Sequence, residues 1–94
     1  MKPRASINSS QRKTLEANFF GTGTLRFARI ESLLLHLGCT MREGKGSAVS
    51  FHAPESDAFV RFHRPHPSGE AKRYQVEQAR EFLEAIGMTP PQKG

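Results

Sequence analysis

The chain has 94 residues, of which 36% are apolar, including seven Phe and one Tyr but no Trp. That is enough for one modest core and too little for two. The longest apolar run, such as Leu33-Leu34-Leu35, is far too short to cross a bilayer, and no hydrophobic export segment follows the basic start. The single cysteine, Cys39, excludes an internal disulfide, and no Cys/His spacing suits a metal site. The expected class is a cytoplasmic domain with no membrane partner, no metal and no small-molecule cofactor.

Lys and Arg number 14 against nine acids, a net charge of +5. Lys2, Arg4, Arg12 and Lys13 all precede the first acid, Glu16, so ten bases face nine acids from Thr14 onward. The body is close to neutral behind a cationic leader. Such a leader reads as a solvated terminus, with phosphate contact as the alternative.

Residues 1–24 are expected to form a basic tail and a short helix, in which Leu15 and Phe19 lie one turn apart and Gly21 and Gly23 end the run. Ile30, Leu33, Leu34 and Leu37 then recur at helical spacing, and Gly38 is placed to stop that helix. The period changes to two. Cys39, Met41 and Glu43, then Val49, Phe51 and Ala53, then Ala58, Val60 and Phe62 alternate with polar or outward positions. With turns at 44–46 and 54–57, these predict three strands in meander order. Pro65, Pro67 and Gly69 break the pattern before a second stripe of Val76, Ala79, Leu83 and Ile86, which Gly87 ends.

The reading is an α+β domain over 25–89, with a C-terminal tail at 90–94. A three-stranded antiparallel sheet packs one face on two helices and leaves the other open. Val49, Phe51, Val60 and Phe62, with Cys39 and Met41, are assigned to the covered face. Arg42, Ala48, Ser50, His52, Arg61 and His63 share the open one.

That face combines imidazoles with cations, and His66 lies just beyond its edge. Histidine titrates near neutral pH, so His52 or His63 could move protons while Arg61 and Lys45 hold a phosphate. An exposed histidine is more often an ordinary surface side chain, and that is the competing reading of each. His66, clamped by two prolines, is either catalytic or structures its loop. Gly44-Lys45-Gly46 lacks phosphate-loop spacing and reads as a hairpin turn. Ser47 has no sequence-adjacent histidine to make it a nucleophile.

The run Ile30-Glu31-Ser32-Leu33-Leu34, then Leu37-Gly38, Gly46-Ser47 with Phe51, Pro65-His66-Pro67 and a last helix closing on Ile86-Gly87, resembles the HicA toxins of bacterial type II toxin–antitoxin systems. The resemblance spans roughly residues 30–88. It implies a double-stranded-RNA-binding-like α-β-β-β-α fold, a metal-independent endoribonuclease acting on mRNA, and a HicB-like antitoxin as partner. From the charge and hydrogen-bonding capacity of the residues themselves, RNA contacts are expected among Lys45, Ser47, Arg61, Arg64, Lys72 and Arg73.

One departure stands out. The family's catalytic histidine follows Gly-Ser, and here Ala48 occupies that slot. A methyl group moves no proton. Either the substitution silences the enzyme, or this N-terminally extended branch does not use the slot, or His52 or His63 has taken over. Strand spacing is expected to bring His52 within about 7 Å of the slot. A non-catalytic RNA-binding or protein-interaction domain is the alternative function.

Overall fold

A computed structural model describes residues 9–21 and 23–88. The C-terminal tail expected at 90–94 and the first eight residues of the basic segment expected at 1–24 lie outside the described residues. Six elements follow in order: α1 (Ser9–Phe20), α2 (Phe27–His36), β1 (Thr40–Glu43), β2 (Ala48–His52), β3 (Phe59–His63) and α3 (Arg73–Ala85). The strands form one antiparallel meander, β1-β2-β3. This is the α+β order α-β-β-β-α, preceded by α1.

Helix α2 forms where the stripe predicts it, burying Phe27, Ile30, Leu33 and Leu34 on one side. It stops at Gly38, whose φ of +94° only glycine adopts readily. There the Gly38 and Cys39 amides donate back to the carbonyls of Leu35 and Leu34. Strand β1 begins one residue later than the alternation suggested, because Cys39 serves this helix end rather than a ladder.

The covered sheet face is as assigned: Val49, Phe51, Val60 and Phe62 are all buried, and Met41 is partly so. Phe62 links the layers edge-on, with ring centroids 5.2 Å from Phe27 and 6.2 Å from Phe51. Each fully buried Phe contributes roughly 1.5–3 kcal/mol of transfer free energy. On α3, Gln75, Ala79, Phe82 and Leu83 are the buried residues. The predicted stripe is thus rotated: Val76 and Ile86 sit at its margin, and Phe82 replaces them in the core.

Helix α1 is packed on the body. Leu15 joins the core at 3% exposure. Asn18 Nδ2 donates to the Val76 carbonyl of α3 at 2.9 Å. The Arg80 guanidinium lies 5.6 Å from the Phe19 ring centroid. Hydrogen bonds Gln11–Ser32 and Arg29–Ser10 join α1 to α2.

Candidate functional site: the open sheet face

The register arranges the open face in rows. Thr40, His52 and Phe59 form one row; Arg42, Ser50 and Arg61 the next; Ala48 and His63 the third. The bonds flanking the β2–β3 ladder, Ala53 N–H to Ala58 O and Arg64 N–H to Ser47 O, are both 2.9 Å. Pairs 53–58 and 47–64 are therefore the hydrogen-bonded ones. Alternation makes 52–59, 50–61 and 48–63 the narrow pairs, with Cα atoms about 4.5 Å apart and side chains closest. The Arg42, Ser50, His52, Phe59 and Arg61 side chains help line a shallow depression of about 210 Å³.

His63 thus stands directly across from Ala48, exposed, with its Nδ1 3.5 Å from Ser47 Oγ. Its backbone carbonyl faces away from β2, off the sheet edge. There Gln75 Nε2 donates to it at 2.7 Å, while Gln75 Oε1 accepts from the Lys72 N–H at 3.0 Å. A fully buried side chain at 1% exposure therefore ties the end of β3 to the start of α3. Sequence reasoning missed Gln75; its place three residues after Lys72, at N3 of α3, was the available signal.

Ala48 lies on the open-face parity but is buried at 4% exposure. The turn closes over it through Gly44 N–H to Ala48 O at 2.9 Å and Ala48 N–H to Lys45 O at 3.2 Å. A Cβ placed on Gly44 would sit 3.3 Å from the Ala48 methyl. The methyl and the turn thus pack together at the margin of the depression, which Gly44 and Ala48 both line.

The expected nearness of His52 to that slot needs correction. Four residues separate them, so at about 3.3 Å each the spacing is about 13 Å. His52 and His63 lie at opposite ends of the face, with the arginine row between them. His52 is half-buried, with its Nε2 3.3 Å from Ser50 Oγ and its ring stacked on Phe59 at 5.4 Å and 16°. Phe59, 60% exposed, also belongs to the open face, which the sequence-based assignment does not include.

The remaining candidates are dispersed. Lys45 and Ser47 are exposed in the β1–β2 turn, and His66 is exposed in the loop after β3. That loop is pinned to the start of α2 by Phe27 N–H to Gly69 O at 2.8 Å and Ala71 N–H to Leu25 O at 2.7 Å. Lys72 and Arg73 are exposed at the start of α3, next to Gln75. Arg64 is already engaged. Its Nε donates to Glu31 at 2.7 Å, one terminal nitrogen lies 3.2 Å from Glu43, and the other is 3.6 Å from Met41 Sδ. The Glu31 hydrogen bond is the main reason its guanidinium is held charged beyond the usual range, with Glu43 adding to it against some desolvation. Arg42 and Arg61, by contrast, have no ion pair among the described residues. No group of His, Cys, Asp and Glu able to hold a metal ion occurs among the described residues. No described helix is long and apolar enough to cross a membrane.

The class defined by this architecture is a small α+β domain that presents cations and imidazoles on one uncovered sheet face. Residues 27–88 match the family model described as HicA toxin of bacterial toxin-antitoxin, and the chain belongs to that family. It is therefore the toxin side of a toxin–antitoxin pair, and an antitoxin is its implied partner. The match begins at α2 and leaves α1 outside. Neither a curated protein nor a solved structure matches the chain significantly.

Proposed function

We propose that this toxin docks mRNA on the open sheet face and cleaves it without a metal, with His63 as the acid–base group. The observation that carries this reading is the narrow Ala48–His63 pair. The imidazole closest to the family's catalytic slot belongs to the neighbouring strand, and the serine beside the slot approaches its Nδ1.

In this scheme Nε2 of His63 takes the proton of a 2′-hydroxyl. The 2′-oxygen forms a bond to phosphorus as the bond from phosphorus to the 5′-oxygen breaks. The leaving oxygen collects a proton from water, and the hydroxide so formed takes the proton held on His63, giving a 2′,3′-cyclic phosphate, a free 5′-hydroxyl and the neutral imidazole again. Arg61 and Lys45 offset the charge that builds on the phosphate. Ser47, Lys72 and Arg73 extend the docking surface along the phosphate backbone. Arg64 serves the scaffold through its two carboxylates. A HicB-like antitoxin would neutralise the toxin by covering this face.

The closed packing around Ala48 favours a second reading, in which the face binds RNA without cutting it. Incubation with a long mRNA in EDTA separates the two. The first reading expects fragments that vanish in His63→Ala and persist in His52→Ala. Undiminished cleavage by His63→Ala refutes the assignment of His63, and tight binding with no cleavage by the parent chain leaves the binding module.

A further inference from the structure

Phe59 is out of place on an otherwise polar surface. It is 60% exposed at the outer end of an uncovered sheet row, on the edge strand β3. The other large exposed apolar side chains among the described residues lie on helices: Phe20 on α1, Leu35 on α2 and Tyr74 on α3. A protein-binding patch would need a contiguous apolar area, and one ring does not provide it.

Its surroundings are instead those of a stacking platform. The narrow pairing with His52 brings the two rings nearly parallel, at 5.4 Å and 16°. Ser50 Oγ, 3.3 Å from His52 Nε2 along the same strand, steadies the imidazole. Strand β3 is an edge strand, and on its outer side Phe59 borders a shallow groove shared with Gln78, Glu81 and Phe82 of α3. The adjacent row carries Arg42 and Arg61, neither in an ion pair among the described residues. On the other side the β2–β3 turn carries Glu55 and Asp57. A polyanion whose base rests on Phe59 is thus directed toward Arg61 and His63 and away from the turn.

We propose that Phe59, braced by His52, stacks a nucleobase, and that the open face takes an unpaired single strand of RNA rather than a duplex. This rests on the RNA-docking reading above. In a duplex each base has both faces covered by its neighbours, so only an unpaired base has a face to offer the ring.

The test uses the full chain with a 2′-O-methyl hexanucleotide, which lacks the attacking hydroxyl and so survives, as a single strand and as a duplex. The chain contains no Trp, so Phe59→Trp introduces a lone indole reporter. Phe59→Trp is expected to bind the single strand as the parent does, with its emission quenched on binding. Phe59→Ala is expected to weaken single-strand binding by roughly 5- to 100-fold and leave duplex binding unchanged. Its thermal midpoint should not move, because the ring contributes little to the core. Single-strand binding by Phe59→Ala equal to the parent's, with loss in Arg61→Ala, overturns the platform while RNA docking stands. A Phe59→Ala variant that keeps RNA but loses the purified antitoxin assigns the ring to that protein and also overturns it. No RNA binding by the parent removes the docking reading and the platform with it.

Discussion

Replacing Gln75 with alanine tests whether one buried amide holds the end of β3 to α3. The substitution deletes the 2.7 Å bond to the His63 carbonyl and the 3.0 Å bond from the Lys72 N–H. At about 1 kcal/mol net per hydrogen bond the two account for about 2 kcal/mol, and the lost packing at a 1% exposed site adds about 1. The better helix propensity of alanine returns a few tenths. A loss of about 2–3 kcal/mol is expected in urea unfolding, as a lower midpoint at an unchanged slope. Gln75→Glu sharpens the test, because it keeps the acceptor for Lys72 but turns a carboxylate oxygen toward the His63 carbonyl. That contact favours the protonated acid, so the folded-state pKa rises above the unfolded value of about 4.3. Relative to alanine, the glutamate variant should then be stable below about pH 4 and lose stability as pH rises through its folded-state pKa. An alanine variant within about 0.5 kcal/mol of the parent, or a glutamate variant indifferent to pH, would refute this account of the β3–α3 junction.

Ala48→His forces an imidazole against the Gly44 turn, and overpacking of this kind is expected to cost about 1–3 kcal/mol in thermal or urea unfolding; an unchanged midpoint would mean the slot is roomier than the Gly44 contact implies. Leu15→Ala should cost about 2–3 kcal/mol because Leu15 is 3% exposed between α1 and the body. If α1 were a detached extension, that variant would melt with the parent. Arg64→Gln removes the clamp shared by Glu31 and Glu43; its groups are partly exposed, so calorimetry at low salt should register only about 0.5–1 kcal/mol, shrinking near 1 M salt. Burial raises the Cys39 thiol above its ordinary value. Its neutral form is thus favoured on folding, and stability should fall as pH rises past about 8.5, less so in Cys39→Ala. Alkylation of native Cys39 should accordingly be slow at mildly alkaline pH, and rapid labelling would count against a buried thiol.

Much of this fold is legible in sequence because each element is marked by local periodicity. The spacing of Ile30, Leu33, Leu34 and Leu37 defines α2, and the two-residue alternation of Val49–Phe51 and Val60–Phe62 assigns the covered face. Pro-His-Pro and the glycines mark the breaks. The chemistry-bearing side chains of the open face follow from the same alternation, and so does the anomaly at Ala48.

What tertiary structure alone decided concerns partners distant along the chain. Alternation states which side of a strand a residue faces, but not who stands opposite or which pairs are narrow. Hence the sequence could not set Ala48 against His63 or Phe59 against His52. Nor could it show the Gly44 turn closing over Ala48, because that burial comes from a turn folding back and not from strand period. Arg64 is cationic in any one-dimensional reading, and only the approach of α2 and β1 from two directions commits it to Glu31 and Glu43. Helix α1 carries too weak an apolar stripe to announce its docking; Leu15 and the reach of Asn18 to the Val76 carbonyl supply it. Local patterns follow from the geometry of a single element, whereas pairing, closure and charge compensation depend on how elements meet.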